Sequence, residues 1–294
     1  MKKAVVAGLI SALIWGVVPA AAAWEVKSDT KVAGFGHPES VAFDSGTKQL
    51  YVSRFGPQLK PLQKDGKGFI SRVDLKGTIL EEKFLPGSGG VLHKPKGLWV
   101  SGSRLWTTDI DVVWVFDLKT KKGRQAALPG AKFANDPVVE GSRLFVSDTQ
   151  SGTIYLVQPA DFLDTKPQVS RFLENPGFGS NGLCISVKGT LLVGAFAPQG
   201  SLGSLHEVKD GKASPISQPL GSLDGLAMLP DGTILYTDWR NQGLFAFQLG
   251  GKPRRLAGGF KGPADFAVVP RAKGYLVVVP DLVSGDLRFI EIRP

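Results

Sequence analysis

The strongest constraint on the fold is a unit that recurs six times along the chain. Each copy follows a loop rich in Gly or Pro and contains a short apolar stretch, a turn and a second apolar stretch. The copies begin with residues 39–43, 96–100, 135–139, 181–185, 224–228 and 264–268. Their starts lie roughly 40 to 57 residues apart, close to the period of ~40–50 residues that four-stranded propeller blades show. The spacing therefore predicts six copies of one structural unit.

The composition of the repeats favours β-strands. The second apolar stretches are residues 50–53, 105–108, 144–147, 191–194, 235–237 and 276–279, and third stretches such as 70–73, 113–116, 154–157 and 244–247 follow. They are rich in Val, Leu, Ile and Phe and lack helical periodicity. Because strands this short cannot bury their apolar faces alone, we expect an all-β, six-bladed β-propeller of four-stranded blades. A β-sandwich of the same strands is the alternative, but it gives no reason for a single period.

The two ends of the sequence predict how the ring closes. The last repeat lacks an outer strand, since residues 289–292 form its final apolar stretch and Pro294 is the last residue given. The early segment 24–32 has the composition to pair there. We therefore expect an N-terminal strand to complete the last blade.

Residues 1–23 have the features of an export signal. Lys2 and Lys3 precede an apolar run over residues 4–18, and residues 20–23 offer small side chains for an A-x-A cleavage site. The run is shorter than the ~20 apolar residues that a membrane span needs, which argues against a retained anchor. We expect cleavage after Ala23, a propeller domain over residues 24–294, no stable membrane insertion, and a location in the bacterial periplasm or outside the cell.

Cysteine usage and charge narrow the partners. Cys184 is the only cysteine, so an internal disulfide is impossible, and its apolar surroundings predict an inert thiol. The formal net charge of +9 falls to +7 when Lys2 and Lys3 are removed. This charge is spread over turns without interleaved aromatic residues, which favours a solvated surface over nucleic-acid binding and leaves weak attraction for anionic substrates or surfaces as an alternative. Nothing in the sequence indicates an oligomeric state.

Four short motifs carry a resemblance to a known superfamily. They are Pro-Glu-Ser-Val-Ala-Phe-Asp at residues 38–44, Phe-Ala-Asn-Asp at 133–136, Ser-Asn-Gly-Leu at 180–183 and Leu-Asp-Gly-Leu-Ala at 223–227. With one motif per blade and in this order, residues 34–292 resemble the SMP-30/gluconolactonase/LRE-like superfamily, which includes paraoxonase-type and strictosidine-synthase-like propellers. The resemblance implies a six-bladed propeller with calcium or another divalent metal in its channel. It also implies, as in many members, hydrolysis of lactones or related esters.

The first residue of each repeat should face the channel, because the innermost strands converge on the axis. These residues are Glu39, Lys96, Asn135, Asn181, Asp224 and Ala264. Four of them offer hard oxygen, and Ca²⁺ takes about six to eight oxygen ligands, which leaves positions for water or substrate. Zinc is disfavoured because the set has no cysteine or histidine. We therefore predict Glu39, Asn135, Asn181 and Asp224 as metal ligands. The alternative is that they only line a wet channel and bond to backbone.

Lys96 opposes this interpretation, because paraoxonase-like members have a histidine in the corresponding blade. An ammonium ~6 Å from a divalent cation would be repelled by about 5 kcal/mol at an effective dielectric constant of ~20. Lys96 must therefore turn away, lose its proton, or replace the metal as the counter-charge of Glu39 and Asp224. His93 lies three residues earlier on a loop expected at the same channel mouth. Asp224, His93 and Lys96 are thus the candidate catalytic residues.

Two further patterns concern the channel mouth. The loops 54–68 and 195–203 are long, and their residues Phe55, Leu59, Phe196 and Leu202 are predicted to give a pocket an apolar lining. A second repeated position lies at the end of the second apolar stretch of each repeat and is occupied by Arg54, Asp109, Asp148, Asp238 and Asp281. Aspartate beside a tight turn usually accepts backbone N–H groups, so we expect a structural role there.

These features lead to one main functional hypothesis and one alternative. The main hypothesis is a periplasmic, metal-dependent hydrolase of a lactone or related ester, with Ca²⁺ or another divalent cation in the central channel. The alternative is a non-catalytic ligand- or protein-binding propeller in which Lys96 replaces the metal.

Overall fold

The computed structural model describes residues 24–88, 90–198 and 201–294, and within these ranges the chain forms 24 β-strands in six antiparallel sheets of four. The predicted six-bladed, all-β propeller is therefore confirmed. The predicted signal peptide, residues 1–23, lies outside the described residues. Across the described ranges, no helix is long and apolar enough to cross a membrane.

Five blades are each built from four consecutive strands, numbered from the channel outward. The first two contain β2 (Pro38–Asp44), β3 (Gln49–Arg54), β4 (Phe69–Val73) and β5 (Ile79–Leu85), then β6 (Pro95–Ser101), β7 (Arg104–Asp109), β8 (Val112–Asp117) and β9 (Gly123–Ala127). The third contains β10 (Ala134–Glu140), β11 (Arg143–Asp148), β12 (Ile154–Gln158) and β13 (Gln168–Leu173). The fourth contains β14 (Gly179–Ile185), β15 (Leu191–Phe196), β16 (Leu205–Lys209) and β17 (Lys212–Pro215). The fifth contains β18 (Leu223–Met228), β19 (Ile234–Asp238), β20 (Gly243–Phe247) and β21 (Arg254–Gly258).

The sixth blade joins the two ends of the chain. It contains β22 (Ala267–Arg271), β23 (Gly274–Asp281) and β24 (Asp286–Arg293), with β1 (Glu25–Ala33) as its outer strand. Strand β1 runs antiparallel to β24, from Glu25 opposite Arg293 to Ala33 opposite Asp286. The predicted closure by an N-terminal strand is confirmed, and it holds the first and last blades together without a covalent link.

The hydrophobic core lies between neighbouring blades. Ala42, Tyr51 and Ile70 of the first blade, for example, pack in one cluster with Leu98 and Leu105 of the second. Each blade covers the faces of its neighbours in this way, so both faces of the short strands are buried. This packing fixes the positions of the inner strands around the axis, and therefore the geometry of the channel.

The aspartates that end the second strands fix the loops at the channel mouth. Asp109 accepts hydrogen bonds from the backbone N–H groups of His93 and Lys94, and Asp281 accepts those of Lys261 and Gly262. Asp148 and Asp238 make equivalent bonds to the loops that lead into their own blades. The structural role expected for these aspartates is what the structure shows.

Candidate functional site

Irregular strand pairing directs one row of side chains into the channel. In five blades the register between the first and second strands shifts at the repeated position, between the pairs Pro38/Val41, Pro95/Leu98, Ala134/Pro137, Ser180/Leu183 and Leu223/Leu226. Each shift leaves two residues outside the regular ladder, and the first of the two is the residue that sequence analysis selected. Bulges of this kind redirect side chains and are frequent next to active sites.

The four predicted metal ligands line one cavity of about 480 Å³. Each has a buried oxygen without a hydrogen-bond partner: Glu39 Oε2, Asn135 Oδ1, Asn181 Oδ1 and Asp224 Oδ1. Among the described residues, no other buried side-chain oxygen is unpartnered, since the remaining unpartnered atoms are nitrogens. An unpaired buried polar group costs about 1–3 kcal/mol, and a bound cation is a ligand that could satisfy four such oxygens in one cavity.

In two of the four residues, Asp224 and Asn135, the other polar atom of the side chain is held by the protein. Trp239 Nε1 donates to Asp224 Oδ2, and Asn135 Nδ2 donates to Thr149 Oγ1 at 3.0 Å. The Thr149 hydroxyl in turn donates to the backbone oxygen of Ser180 at 3.1 Å. These bonds fix the side chains so that the oxygen without a partner is the atom left for a ligand.

The donor set fits a hard cation. Two carboxylates and two amide oxygens match the oxygen ligands of Ca²⁺, which accepts neutral carbonyl ligands readily. Within the described residues there is no group of three or more His, Cys, Asp and Glu side chains that could hold a metal, so a site here depends on the two amides. The residues present therefore fit Ca²⁺ better than a metal that prefers nitrogen or sulfur.

The electrostatics of the site also favour a cation. Burial and the neighbouring Asp224 raise the pKa of Glu39 well above its usual range. Burial, together with the charge of Asp265, raises the pKa of Asp224 to about 7, although its bonds from Trp239 and Asn181 act in the opposite direction. Two buried acids that ionise reluctantly are stabilised as anions by a positive ligand between them.

Glycines allow the inner strands to approach closely at this level. A Cβ added to Gly182 would lie 1.9 Å from the backbone oxygen of Asp224, and one added to Gly97 would lie 2.6 Å from that of Asn135. Gly225 is similarly crowded by Phe266. The glycine that follows a channel residue in three repeats is thus required by the contact with the next blade.

The structure places Lys96 beside the site but outside the cavity lining. Its side chain is fully buried, with Nζ 4.5 Å from the ring centre of Phe133 and 5.7 Å from that of Phe55. Nζ is 3.4 Å from the backbone oxygen of Lys94, and the ion pairs of the described residues do not include it. Burial lowers the pKa of Lys96 to about 8, while Glu39 opposes the shift. Lys96 thus makes no ion pair with Glu39 or Asp224, yet it is close enough to Glu39 for each of the two to affect the pKa of the other.

The structure does not bring His93 to the cavity. Its Nδ1 accepts a hydrogen bond from the backbone N–H of Gly66 at 2.9 Å, and the backbone N–H of His93 donates to Asp109 Oδ2. The side chain thereby ties the loop 54–68 to the second blade. This position gives no support to the role of general base that sequence analysis considered for it.

The predicted apolar lining is present with one difference. Phe55, Leu59 and Phe196 line the cavity, whereas Leu202 is 46% exposed and is not part of the lining. Sequence analysis missed Phe133, Thr149, Gln150, Trp239, Leu282, Pro61 and Leu62, which also line it.

A repeated position could have identified three of the seven missed residues, Thr149, Trp239 and Leu282. In five blades, the residue directly after the position aligned with the strand-end aspartates lines the cavity: Phe55, Thr149, Phe196 (the last residue of β15), Trp239 and Leu282. The corresponding residue of the second blade, Ile110, does not. The five lining side chains form a second ring on the mouth side of the first. In the sequence, Thr149, Trp239 and Leu282 directly follow the aligned strand-end aspartates, so extending the alignment by one residue would have predicted them.

A second cavity, of about 450 Å³, lies further along the inner strands and contains Asp136 and Asp265. Asp136 Oδ2 accepts the backbone N–H of Leu183 at 2.6 Å, and Asp265 Oδ2 accepts the Ser40 hydroxyl. Both aspartates therefore hold adjacent blades together. The pKa of each aspartate is raised, and burial is the largest cause.

Comparisons with known proteins identify the class of fold. No family model matches the sequence, and no curated protein matches it. Among solved structures, a gluconolactonase from Xanthomonas campestris is 14% identical, with a TM-score of 0.64 over 91% of both chains. A protein assigned as a gluconolactonase is 15% identical, with a TM-score of 0.63 over 92% of this chain and 93% of its own.

The similarity extends to a different enzyme class. Virginiamycin B lyase from Staphylococcus aureus is 11% identical, with a TM-score of 0.59 over 90% of this chain and 99% of its own. The predicted similarity to gluconolactonase structures is confirmed at the level of the fold. Because a lyase shares that fold, the site rather than the propeller must carry the argument for function.

Proposed function

We propose that this chain is a metal-dependent hydrolase of a lactone or related ester, with its active site in the cavity lined by Glu39, Asn135, Asn181 and Asp224. The observation that carries the proposal is the convergence of four buried, unpartnered oxygens on one cavity. The gluconolactonase neighbours support the lactone or ester as substrate class. Ca²⁺ is the cation that the donor set favours.

The residues of the chain divide the work of such a reaction. The four oxygens would hold the cation, which when bound polarises the ester carbonyl and stabilises developing negative charge. Asp224 is fixed at Oδ2 by Trp239 and presents Oδ1 to the cavity. As a carboxylate it can accept a proton from an attacking water, or attack the carbonyl carbon itself. Phe55, Phe133 and Phe196 shield the site from bulk water.

Turnover under metal control tests this proposal. The chelated protein should hydrolyse neither lactones nor aryl esters, and Ca²⁺ should restore activity. Asp224→Ala and Asn181→Ala should lose both turnover and the response to Ca²⁺. Asp210→Asn, which removes the same charge in an exposed turn, should retain both. Full activity in both site variants would refute the proposal.

The alternative function is ligand binding without catalysis. Two residues at ring positions favour it. Lys96 places a cation near Glu39, and Ala264 provides no polar side chain at the ring position of the sixth blade. In this case Lys96 supplies the counter-charge itself. Lys96→Gln should then create Ca²⁺ binding that the unmodified protein lacks.

We also propose that the protein acts in the periplasm or outside the cell. The basis is the sequence of residues 1–23, with its basic start, apolar run and small residues before Trp24. Mass spectrometry of the protein from a periplasmic fraction should give Trp24 as the first residue. An intact Met1 on the cellular protein would contradict this proposal.

A further inference from the structure

The wall of the candidate active site is mainly apolar. Of the fourteen residues that line the cavity, eight have apolar side chains, and they come from the loop 54–68 and from four blades, the third to the sixth. Phe196 and Trp239 meet edge to face, with ring centres 6.5 Å apart. Leu59 and Leu62 contribute from the loop and are 39% and 49% exposed. Large apolar side chains that lie open at the mouth of a cavity are suited to contact an apolar ligand.

Most hydrogen-bond donor groups of the lining are already used within the protein. The Trp239 indole donates to Asp224, the Asn135 amide donates to Thr149, and the Thr149 hydroxyl donates to Ser180. The Asn181 amide is bound to Asp224. Among the described lining residues, the side-chain amide of Gln150 is the donor group that makes no side-chain hydrogen bond within the protein, and each of the two asparagine amides keeps a second N–H. A polyhydroxylated substrate would therefore lose its hydrogen bonds to water with few replacements, at a cost for each hydroxyl group.

The charge of the lining is also unsuited to an anionic substrate. Among the described residues of the cavity, Glu39 and Asp224 are the charged side chains, and none of the fourteen is Lys, Arg or His. Lys96 is buried behind Phe133 and makes no contact with the open space. A bound divalent cation would neutralise the two carboxylates, so the cavity would have no net positive charge to attract an anionic substrate.

From these three observations we infer that the substrate is a neutral lactone or ester with an apolar body, such as an alkyl- or aryl-substituted lactone, rather than a sugar lactone. The inference rests on the proposed function for the reaction and on the cavity wall for the substrate class. The volume of about 480 Å³ lies in the range of small-molecule sites. The alkyl or aryl group would lie against Leu59, Leu62 and Phe196.

The test compares two lactones of equal ring size, δ-decalactone and D-glucono-δ-lactone, with rates corrected for spontaneous hydrolysis. In the presence of Ca²⁺, kcat/KM for δ-decalactone should be higher by about 100-fold. Leu59→Ser combined with Leu62→Ser should reduce kcat/KM for δ-decalactone by about 10-fold or more, and by a much larger factor than kcat/KM for the sugar lactone. Both side chains are substantially exposed, so the protein should stay folded. Leu202→Ser is the matched control, since Leu202 is similarly exposed on a loop of the fourth blade but is not part of the lining.

A binding measurement separates this inference from the proposed function. N-phenyl-1-naphthylamine, a neutral apolar fluorophore, should bind the unmodified protein and bind the Leu59/Leu62 double variant more weakly. Equal or faster turnover of the sugar lactone would overturn the inference while leaving the hydrolase proposal intact. Fluorophore binding that depends on Leu59 and Leu62, without turnover of either lactone, would overturn the hydrolase proposal and support the inference for a ligand. If the protein turns over neither lactone and its fluorophore binding does not depend on Leu59 and Leu62, both the hydrolase proposal and the inference are wrong.

Discussion

The indole Nε1 of Trp239 donates a hydrogen bond to Oδ2 of Asp224, while the other carboxylate oxygen of Asp224 is buried without a partner. The two residues belong to the same blade, where Leu223 pairs with Asp238 just beside them. One tryptophan thus anchors one oxygen of the carboxylate and leaves the other for a ligand. Trp239 is therefore a positioning residue for the acid-base group of the proposed mechanism.

Replacing Trp239 by Phe should weaken Ca²⁺ binding by about 10-fold, because a hydrogen bond to a charged group contributes about 1.5–3 kcal/mol. The loss should also raise the pKa of Asp224 further, since this bond lowers it. Calorimetric titration with Ca²⁺ measures the effect. Trp114→Phe is the matched control, because Trp114 Nε1 is buried without a partner and its removal should leave Ca²⁺ affinity unchanged. Equal affinities for both variants would contradict the role given to Trp239.

A methyl group at Gly182 should disturb the site without removing a ligand. The added Cβ would lie 1.9 Å from the backbone oxygen of Asp224, so the fourth and fifth blades must separate. We expect Gly182→Ala to lose the thermal stabilisation by Ca²⁺ and to unfold at a lower temperature. Gly251→Ala, in an exposed turn, should keep both properties. A normal Ca²⁺ response in Gly182→Ala would show that the spacing of the inner strands is not critical.

Removing the charge of Lys96 should strengthen metal binding. Lys96→Met keeps an apolar side chain between Phe55 and Phe133 and removes a cation that is close enough to Glu39 to affect its pKa. Ca²⁺ affinity at pH 7 should rise by at least about 10-fold, given the repulsion between like charges in a site of low dielectric constant. Lys64→Met removes a charge at the surface, where Lys64 pairs with Asp111, and should have little effect. An unchanged affinity in Lys96→Met would mean that Lys96 is not charged when the metal binds.

The metal-free protein should lose stability as the pH rises from about 4 to about 7. In this range the unfolded chain has released the proton of Asp224, whose usual pKa is about 3.9, whereas the folded protein still holds it because its pKa is about 7. Fewer protons bound in the unfolded state means that the free energy of unfolding falls with rising pH. The penalty is complete above pH 7 and amounts to at most about 4 kcal/mol.

Asp224→Asn isolates this contribution, because asparagine still offers an acceptor to Trp239 but has no charge. At pH 8, in the presence of a chelator, the variant should be more stable than the unmodified protein in urea unfolding, and the difference should vanish near pH 4. Asp210→Asn, in an exposed turn, should show neither effect. If the unmodified protein is the more stable at pH 8 without metal, the carboxylate is satisfied by the protein itself.

The sequence was sufficient for the fold and for the ring of polar residues. The repeat period determined the number of blades, and the aligned first residues identified Glu39, Asn135, Asn181 and Asp224, because equivalent positions of a propeller lie at equal depth. The composition of residues 24–32 was likewise sufficient to identify the closing strand.

Features that depend on side-chain direction were less accessible. Lys96 occupies a ring position, yet its long side chain reaches the faces of Phe55 and Phe133, which no repeat pattern encodes. His93 is close to Lys96 in sequence, but a hydrogen bond from Gly66 holds it away from the cavity. Leu202 and Leu62 are both leucines in long loops rich in Pro, Gly, Lys and Gln, and only the course of each loop determines that Leu62 lines the cavity and Leu202 does not.

Thermal unfolding of chelated protein with and without added Ca²⁺ tests the central claim most directly. A ligand that binds only the folded state at 100 times its dissociation constant adds about 2.7 kcal/mol, which should raise Tm on the order of 5–10 °C. Asn181→Leu and Asp224→Asn should abolish the rise, and Asp210→Asn should not. If neither Ca²⁺, Mg²⁺ nor Mn²⁺ changes Tm of the unmodified protein, the four oxygens do not form a metal site and the account is wrong.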